Sequence, residues 1–263
     1  MDLIRTSVSS GVMTITLDNA TRRNALSRQL VSELLEAINQ AEQNSLVRIV
    51  VVTNEGTVFC AGADLAETSQ DQPGQTPGRV DDISEVLMRI ISSPKPFVGR
   101  VNGHCVAGGI GLAAAMDYSI AVAHAKFGFT EVRVGVAPAI ISVVCLPKMR
   151  VADAKASFLR GNQFLAGEAA RVGLINLAVT PDQLDVEVTN VINDYLAGEP
   201  SAIAAAKQLM MEVPRLSLND AFAQMSALSA DLFATEVARE GRVAFLEKRP
   251  ATWVEHFSFG ESS

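Results

Sequence analysis

The stretch NGHCVAGGIGLAAAMD, Asn102 to Asp117, sets a small-residue turn directly against a helix. Ala107-Gly108-Gly109 precedes Leu112 to Met116, a run of good helix formers, so the glycines fall where that helix begins. A helix N-terminus carries unpaired N–H groups and the positive end of the peptide dipole. Lacking a Cβ, glycine lets a ligand's oxygen come close to those groups. A second stretch, FCAGADL from Phe59 to Leu65, has the same character and follows the apolar run VRIVVVTN. A bare turn needs one glycine, whereas Cys60-Ala61-Gly62-Ala63 is small throughout. Two such turns can donate two N–H groups to one oxygen and form an oxyanion hole. The donors would be the amides of Ala63 and Gly108. The other reading, for either turn alone, is that its glycines only permit tight packing.

Outward from these turns, the chain alternates strands and helices and then becomes mainly helical. IRTSVSS, Gly11 and VMTITLD read as a hairpin. Asn19 to Arg23 form a polar turn. SRQLVSELLEAINQAEQ has apolar residues at helical spacing behind Ser27 as N-cap. Thr68 to Asp82 lacks apolar periodicity and reads as a loop over the acyl pocket inferred below, long enough to be functional. A helix is expected near Ile83 to Ser92, and strands at KPFVGRV, YSIAVA and AKFGF. From Ala139 onward the expected helices span Val151 to Leu159, Ala166 to Val172, Pro181 to Ala197, Ala202 to Met211, Leu218 to Ala238 and Glu240 to Lys248. One short strand, LINLAV, interrupts them. No internal repeat of fixed period is evident.

The 263 residues suffice for one large domain with a sizeable core. A net charge of −7 argues against nucleic-acid binding and against attraction to an anionic membrane surface. An RNA-binding role is therefore disfavoured. Cys60, Cys105 and Cys145 form neither a disulfide framework nor a metal-ligand spacing, which suits a reducing compartment. No signal peptide or membrane span is read, and the cytoplasm is expected.

Five segments in order resemble the marks of the crotonase family, the enoyl-CoA hydratases and isomerases. They are RRNALS (Arg22 to Ser27), FCAGADL, VNGHCVAGGIGLAAAMD, AKFGFTEVRVGVAP (Ala125 to Pro138) and EGRVAFLEKRPATW (Glu240 to Trp253). The resemblance covers nearly the whole chain and implies an α/β fold, a crotonase-type spiral of β-β-α units with a helical C-terminal trimerisation region. The core would span 1–197 and the helical oligomerisation region 198–263, in trimers or pairs of trimers. The resemblance also implies an acyl-CoA thioester of fatty-acid metabolism as substrate, with coenzyme A as part of it and no separate cofactor or metal. The thioester carbonyl would sit between the Ala63 and Gly108 amides, with Gly109 and Gly111 beside the substrate. The adenine would lie along the backbone of Ala61, Gly62, Ala63, Asp64 and Leu65. Arg22, Arg23 and Ala25 would meet the pantetheine and phosphates. Phe245 and Lys248 match positions that often reach the nucleotide of a neighbouring subunit. Lys248 reads equally as a solvated helix charge.

The chain departs from the family at one acid. Hydratases of the family typically carry two glutamates, and two carboxylates can hold one water and pass its proton. Here the first position is Gly111 and the second is Glu131. Phe129, Val132, Val134 and Val136 around Glu131 would raise its pKa and suit it to proton transfer. Its other reading is a surface carboxylate or ion-pair partner. Asp64 reads as a helix cap, Asp117 as a structural acid, and His104 as a satisfied, partly buried histidine. Ser142 has no His/Asp arrangement that would make it a nucleophile. A single acid suits isomerases, which take a proton from C2 of a 3-enoyl thioester and return it at C4. Some bacterial hydratases of branched glutaconyl-type thioesters are also similar to the GGIGL, TEVRVG and PAIIS segments. Water addition would then proceed with Glu131 alone, aided by the substrate's own carboxylate. Hydration or dehydration of a 2-enoyl thioester is the first expectation, isomerisation the second and non-catalytic acyl-CoA binding the third.

Overall fold

The hairpin forms as expected, with β1 (Ile4–Ser9) antiparallel to β2 (Val12–Leu17). Ser10 and Gly11 turn it at positive φ, 46° and 75°. The computed structural model describes residues 2–68 and 80–259. After a 3₁₀ turn over Ala20–Arg22 comes α1 (Arg28–Gln43), and the Ser27 side chain accepts from the Leu30 amide as its cap. Leu30, Val31, Leu34, Ala37, Ile38 and Ala41 form the buried face of α1.

Three similar turns of chain follow. The first holds β3 (Ile49–Asn54), β4 (Val58–Cys60), the short α2 (Leu65–Thr68) and α3 (Val80–Ser92). The second holds β5 (Phe97–Val101), β6 (His104–Val106) and α4 (Gly108–Ala115). The third holds β7 (Tyr118–Val122), β8 (Lys126–Gly128), a 3₁₀ turn over Thr130–Val134 and α5 (Ala139–Cys145). The chain continues through α6 (Val151–Arg160), β9 (Phe164–Leu165), α7 (Ala166–Arg171), β10 (Leu177–Val179) and α8 (Leu184–Ala197). The last described helices are α9 (Pro200–Glu212), α10 (Leu218–Phe233) and α11 (Glu236–Glu247).

Each turn gives its first strand to one sheet and its second to another. The first sheet runs β1-β2-β3-β5-β7-β10 and the second β4-β6-β8-β9. Apart from the antiparallel pairs β1/β2 and β8/β9, neighbouring strands are parallel. This is the β-β-α spiral that the resemblance implies. Parallel strands covered on both faces need near-continuous apolar runs. Ile49, Val50, Val51 and Val52 supply one, all of them buried.

Several boundaries differ from the sequence reading. Helix α3 begins at Val80 and takes the end of the expected Thr68 to Asp82 loop, while α2 takes Thr68. The rest of that loop lies outside the described residues. The break expected at Arg239 between the last two helices falls at Ala234-Thr235 instead, because the Thr235 side chain accepts from the Ala238 amide and caps α11. The two-residue β9 joins the second sheet in a region read as interrupted by one strand only.

The later helices are stitched to the core by a buried and a half-buried cation. Lys207 of α9 donates to Asp117 Oδ2 at 2.6 Å and to the carbonyls of Ile90 and Lys95. Arg48 donates to the carbonyls of Leu196, Gly198 and Trp253. Beyond α11 the chain returns to the core, where Phe257 is buried and exchanges two hydrogen bonds with the Asn193 amide. Among the described residues, no helix is long and apolar enough to cross a membrane.

Candidate active site

Strands β4 and β6 are neighbours in the second sheet, pairing Val58 with His104 and Cys60 with Cys105. The turns that follow them therefore lie side by side. A Cβ built on Gly62 would stand 2.7 Å from the Ala107 Cβ and 2.9 Å from the Gly108 nitrogen. One built on Gly108 would stand 3.4 Å from the Gly62 Cα and 3.8 Å from the Ala63 nitrogen. The two backbones approach as closely as a missing side chain allows. Gly62 also sits at φ 80°, where an L side chain is strained.

Gly108 is the first residue of α4, so its amide has no acceptor within the helix. Among the described residues, no acceptor is found for the Ala63 amide. Ala107, before Gly108, holds φ 50° and ψ −127°, a conformation costly for a residue with a Cβ. Its amide is tied to the Gly128 carbonyl at the end of β8. Gly109 serves packing, since a Cβ there would meet the Cys60 carbonyl oxygen at 2.4 Å. At Gly109, then, the packing reading applies.

The RRNALS segment lies along the first turn. Leu26 donates to the Gly62 carbonyl and bridges to Ala63, and Ala61 donates to the Arg23 carbonyl. Ala25 is buried, while Arg22 and Arg23 are exposed. Asn24, which the sequence reading passed over, pins this segment. It is fully buried, and its side-chain amide donates to the carbonyls of Glu55 and Val58 and accepts from the Asn19 amide. Its φ of 50° is the available signal, because asparagine tolerates the left-handed region better than most residues. Asp64 is buried, accepts from the Ala66 amide at 3.0 Å as a cap of α2, and lies 3.5 Å from Arg22 Nε. Leu65 is exposed.

Glu131 stands in the 3₁₀ turn after β8, and its carbonyl accepts from the amides of Gly135 and Val136. Its carboxylate forms no ion pair among the described residues, and Oε2 is buried without a hydrogen-bond partner. Burial pushes the Glu131 carboxyl above the ordinary glutamate value of 4.5. The expected cause needs correcting: Val132, Val134 and Val136 are exposed, and of the four only Phe129 is buried. The Cys145 thiol is pushed up to about 12, mainly by burial, with the Glu131 charge adding to the effect. Ile141 and Cys145 are buried and four residues apart on α5, so they share one face.

Gly111 faces this same helix. A Cβ at Gly111 would lie 2.2 Å from Ile141 Cγ2 and 2.8 Å from Ile141 Cβ. Nothing in the local pattern marks Ile141, and the sequence reading did not single it out. The remaining candidates have structural partners. His104 Nδ1 accepts from the Lys126 amide, and burial followed by the charges of Lys126 and His124 lowers its pKa. Asp117 binds Lys207 and the Phe97 amide. Ser142 Oγ donates to the Ala139 carbonyl at 2.6 Å. Phe245 and Lys248 lie exposed on α11 and at its end, with no hydrogen bond from either side chain to the two turns among the described residues. No group of three or more His, Cys, Asp or Glu able to hold a metal occurs among the described residues.

A family model described as enoyl-CoA hydratase/isomerase matches residues 7–256. The chain belongs to the enoyl-CoA hydratase/isomerase family. It is 34% identical over 242 residues to a Thermus thermophilus protein provisionally named an enoyl-CoA hydratase, covering 91% of this chain and 96% of that one. It is 31% identical over 241 residues to the 2,3-dehydroadipyl-CoA hydratase of Escherichia coli, covering 90% and 93%. The crystal structure of an enoyl-CoA hydratase from Mycobacterium smegmatis superimposes with a TM-score of 0.88 at 28% identity, covering 96% of this chain and 99% of that one. The chain is therefore an enzyme of this family with the crotonase fold.

Proposed function

We propose that the enzyme hydrates a 2-enoyl-CoA thioester, or dehydrates the corresponding 3-hydroxyacyl thioester, through an enolate. The observations that carry this reading are a pair of adjacent amides, Ala63 and Gly108, and a half-buried glutamate, Glu131, whose Oε2 is buried and unpartnered. The thioester oxygen accepts from both amides, which bind best the negative charge that develops as the enolate forms. Glu131 takes a proton from water as the water oxygen bonds to C3. It then delivers a proton to C2, so one water is added and the carboxylate is regenerated. Its raised pKa brings it closer to a balanced exchange with weak acids. Arg22 and Arg23, exposed beside the first turn, bind the phosphates of coenzyme A, and the backbone from Ala61 to Leu65 meets the adenine.

A second reading, isomerisation of a 3-enoyl to a 2-enoyl thioester, is favoured by one observation: Ile141 packs against Gly111, where a second carboxylate would otherwise point. Glu131 would remove the proton at C2 and return it at C4. A mass measurement in deuterated water, with a panel of 2-enoyl and 3-enoyl thioesters, tests both readings. Gain of one water by a 2-enoyl thioester supports hydration. Conversion of a 3-enoyl thioester without that gain supports isomerisation. Coenzyme A binding with neither product favours a protein that keeps the pocket and lacks the reaction.

The same proposal extends to assembly. Leu218, Phe222 and Phe233 on α10 and Phe245 and Leu246 on α11 are more than half exposed. Such a surface supports self-association into trimers or pairs of trimers, with Phe245 and Lys248 reaching a neighbouring subunit's nucleotide. A cytoplasmic location is part of the proposal.

A further inference from the structure

We propose that Asn24 is a positioning residue for the thioester carbonyl: through Leu26 it holds the plane of the Gly62–Ala63 peptide and so aims the Ala63 N–H. This inference rests on the two-amide reading proposed above. It goes beyond it by assigning the aim of one donor to a buried side chain outside both turns.

A trans peptide sets its C=O and its N–H on opposite sides of the chain. Whatever grips the Gly62 carbonyl therefore decides where the Ala63 N–H points. The Leu26 amide grips it, at 2.8 Å. The Ala61 amide donates in turn to the Arg23 carbonyl at 3.1 Å. The first turn is thus held at two points, and Asn24 lies between the two residues that hold it. Leu26 reaches the second donor as well, since its Cδ1 would stand 3.0 Å from a Cβ on Gly108.

Such a grip is only as fixed as the segment that carries it. Arg23 to Ser27 lie between the 3₁₀ turn and α1, outside any strand or helix. Arg23 and Asn24 hold φ of 55° and 50°, a conformation that persists only where the surroundings impose it. Asn24 imposes it. Its own amide donates to the Asn19 carbonyl at 2.9 Å, and its Oδ1 accepts from the Asn19 amide at 2.8 Å. Its Nδ2 donates to the carbonyls of Glu55 at 3.1 Å and Val58 at 2.7 Å. Val58 opens β4, the strand that leads into the first turn. The side chain therefore locks the gripping segment to the root of the turn it grips. An oxyanion hole works by donors fixed before the charge develops. A misaimed N–H costs more as the charge on the oxygen grows, so turnover suffers more than binding.

The test reads the carbonyl directly. Butanoyl-CoA labelled with carbon-13 at the thioester carbonyl is saturated, so it neither hydrates nor isomerises when bound. Its infrared carbonyl band reports how strongly N–H donors polarise the bond. On the wild-type protein the band should lie below its position in water. Asn24→Gly keeps the left-handed φ without strain and removes every side-chain bond. About half of the downshift should disappear, one donor of two. Turnover of whichever thioester the wild type accepts should fall about tenfold. Affinity for free coenzyme A, which lacks the thioester carbonyl, should stay within about threefold. Should the glycine variant not fold, Asn24→Asp keeps the size and the acceptor, loses both donors, and should shift the band in the same direction. Asn193→Ala removes a pair of hydrogen bonds to Phe257 outside the two turns, and should lower Tm while leaving the band in place.

A full downshift in the Asn24 variants, whatever their Tm, would overturn the proposal and leave Asn24 a residue of the fold alone. An equal loss of downshift in Asn193→Ala would overturn it too, because any loosening of the fold would then move the band. A wild-type band at its position in water would instead defeat the two-amide reading itself.

Discussion

Helices α4 and α10 are both rich in apolar residues, yet they meet opposite fates. In α4 every residue from Gly109 to Ala115 is buried. In α10 no residue is buried, and Phe222 is 68% exposed. Apolar side chains all round mark a helix sunk in a core. An apolar helix left at the surface marks a face that another surface covers. The difference divides the molecule by task. The α4 side, with two amides and Glu131, carries the proposed chemistry. The α10 side carries the proposed assembly. Changes on one side should leave the other intact.

The largest test of this division is Glu131→Gln, which keeps shape and removes the base. Turnover should fall about a thousandfold, or ~4 kcal/mol on the barrier, with coenzyme A binding and assembly unchanged. Turnover within threefold of wild type would remove Glu131 from the reaction. The wild-type pH profile sharpens the same point. Because burial raises the Glu131 pKa, the acid limb of kcat/KM should lie above 4.5. The folded protein holds this proton more tightly than the unfolded chain. Stability should therefore decline as pH rises from 4.5 through the folded value, and Glu131→Gln should flatten that decline in thermal melts.

Next comes Gly109→Ala. Its Cβ would meet the Cys60 carbonyl oxygen at 2.4 Å, a backbone atom that cannot swing aside. A loss of about 3 kcal/mol in denaturant unfolding is expected. On the other side, Phe222→Asp with Leu218→Asp should shift the assembled protein toward monomer in light scattering, at about 2 kcal/mol per well-packed contact. An unchanged mass would break the division at α10. The smallest effect is that of Ser27→Ala, which removes the α1 cap for about 1 kcal/mol by the same unfolding measurement.

What the sequence made legible was local. Alternation revealed the β1–β2 hairpin, a hydroxyl before an apolar period revealed the start of α1, and small residues after strand-like runs revealed both turns. The spiral left no fixed period because its turns start at Ile49, Phe97 and Tyr118, at unequal spacing. The break between α10 and α11 was read at Arg239 rather than at Ala234-Thr235, because Thr235 differs from a mid-helix threonine only by what its side chain accepts. At the site, Glu131 and the turns were visible as motifs. Its desolvation was read from sequence neighbours that prove to be exposed, since the burial comes from packing across elements. Ile141 was invisible because a volume shared by residues on two helices leaves no local pattern.

Arg48 gives the fold an order in time. Its guanidinium, on the residue just before β3, donates to carbonyls at Leu196, Gly198 and Trp253. During synthesis, a charge needed beside one of the first strands meets its first two partners only 148 and 150 residues later and its third only 205 residues later. The nascent chain can complete hairpin and helix early, but that end of the first sheet must keep its cation in water until the far segment arrives. A chain released before Trp253 would therefore have its strands in place and its closing clasp one partner short.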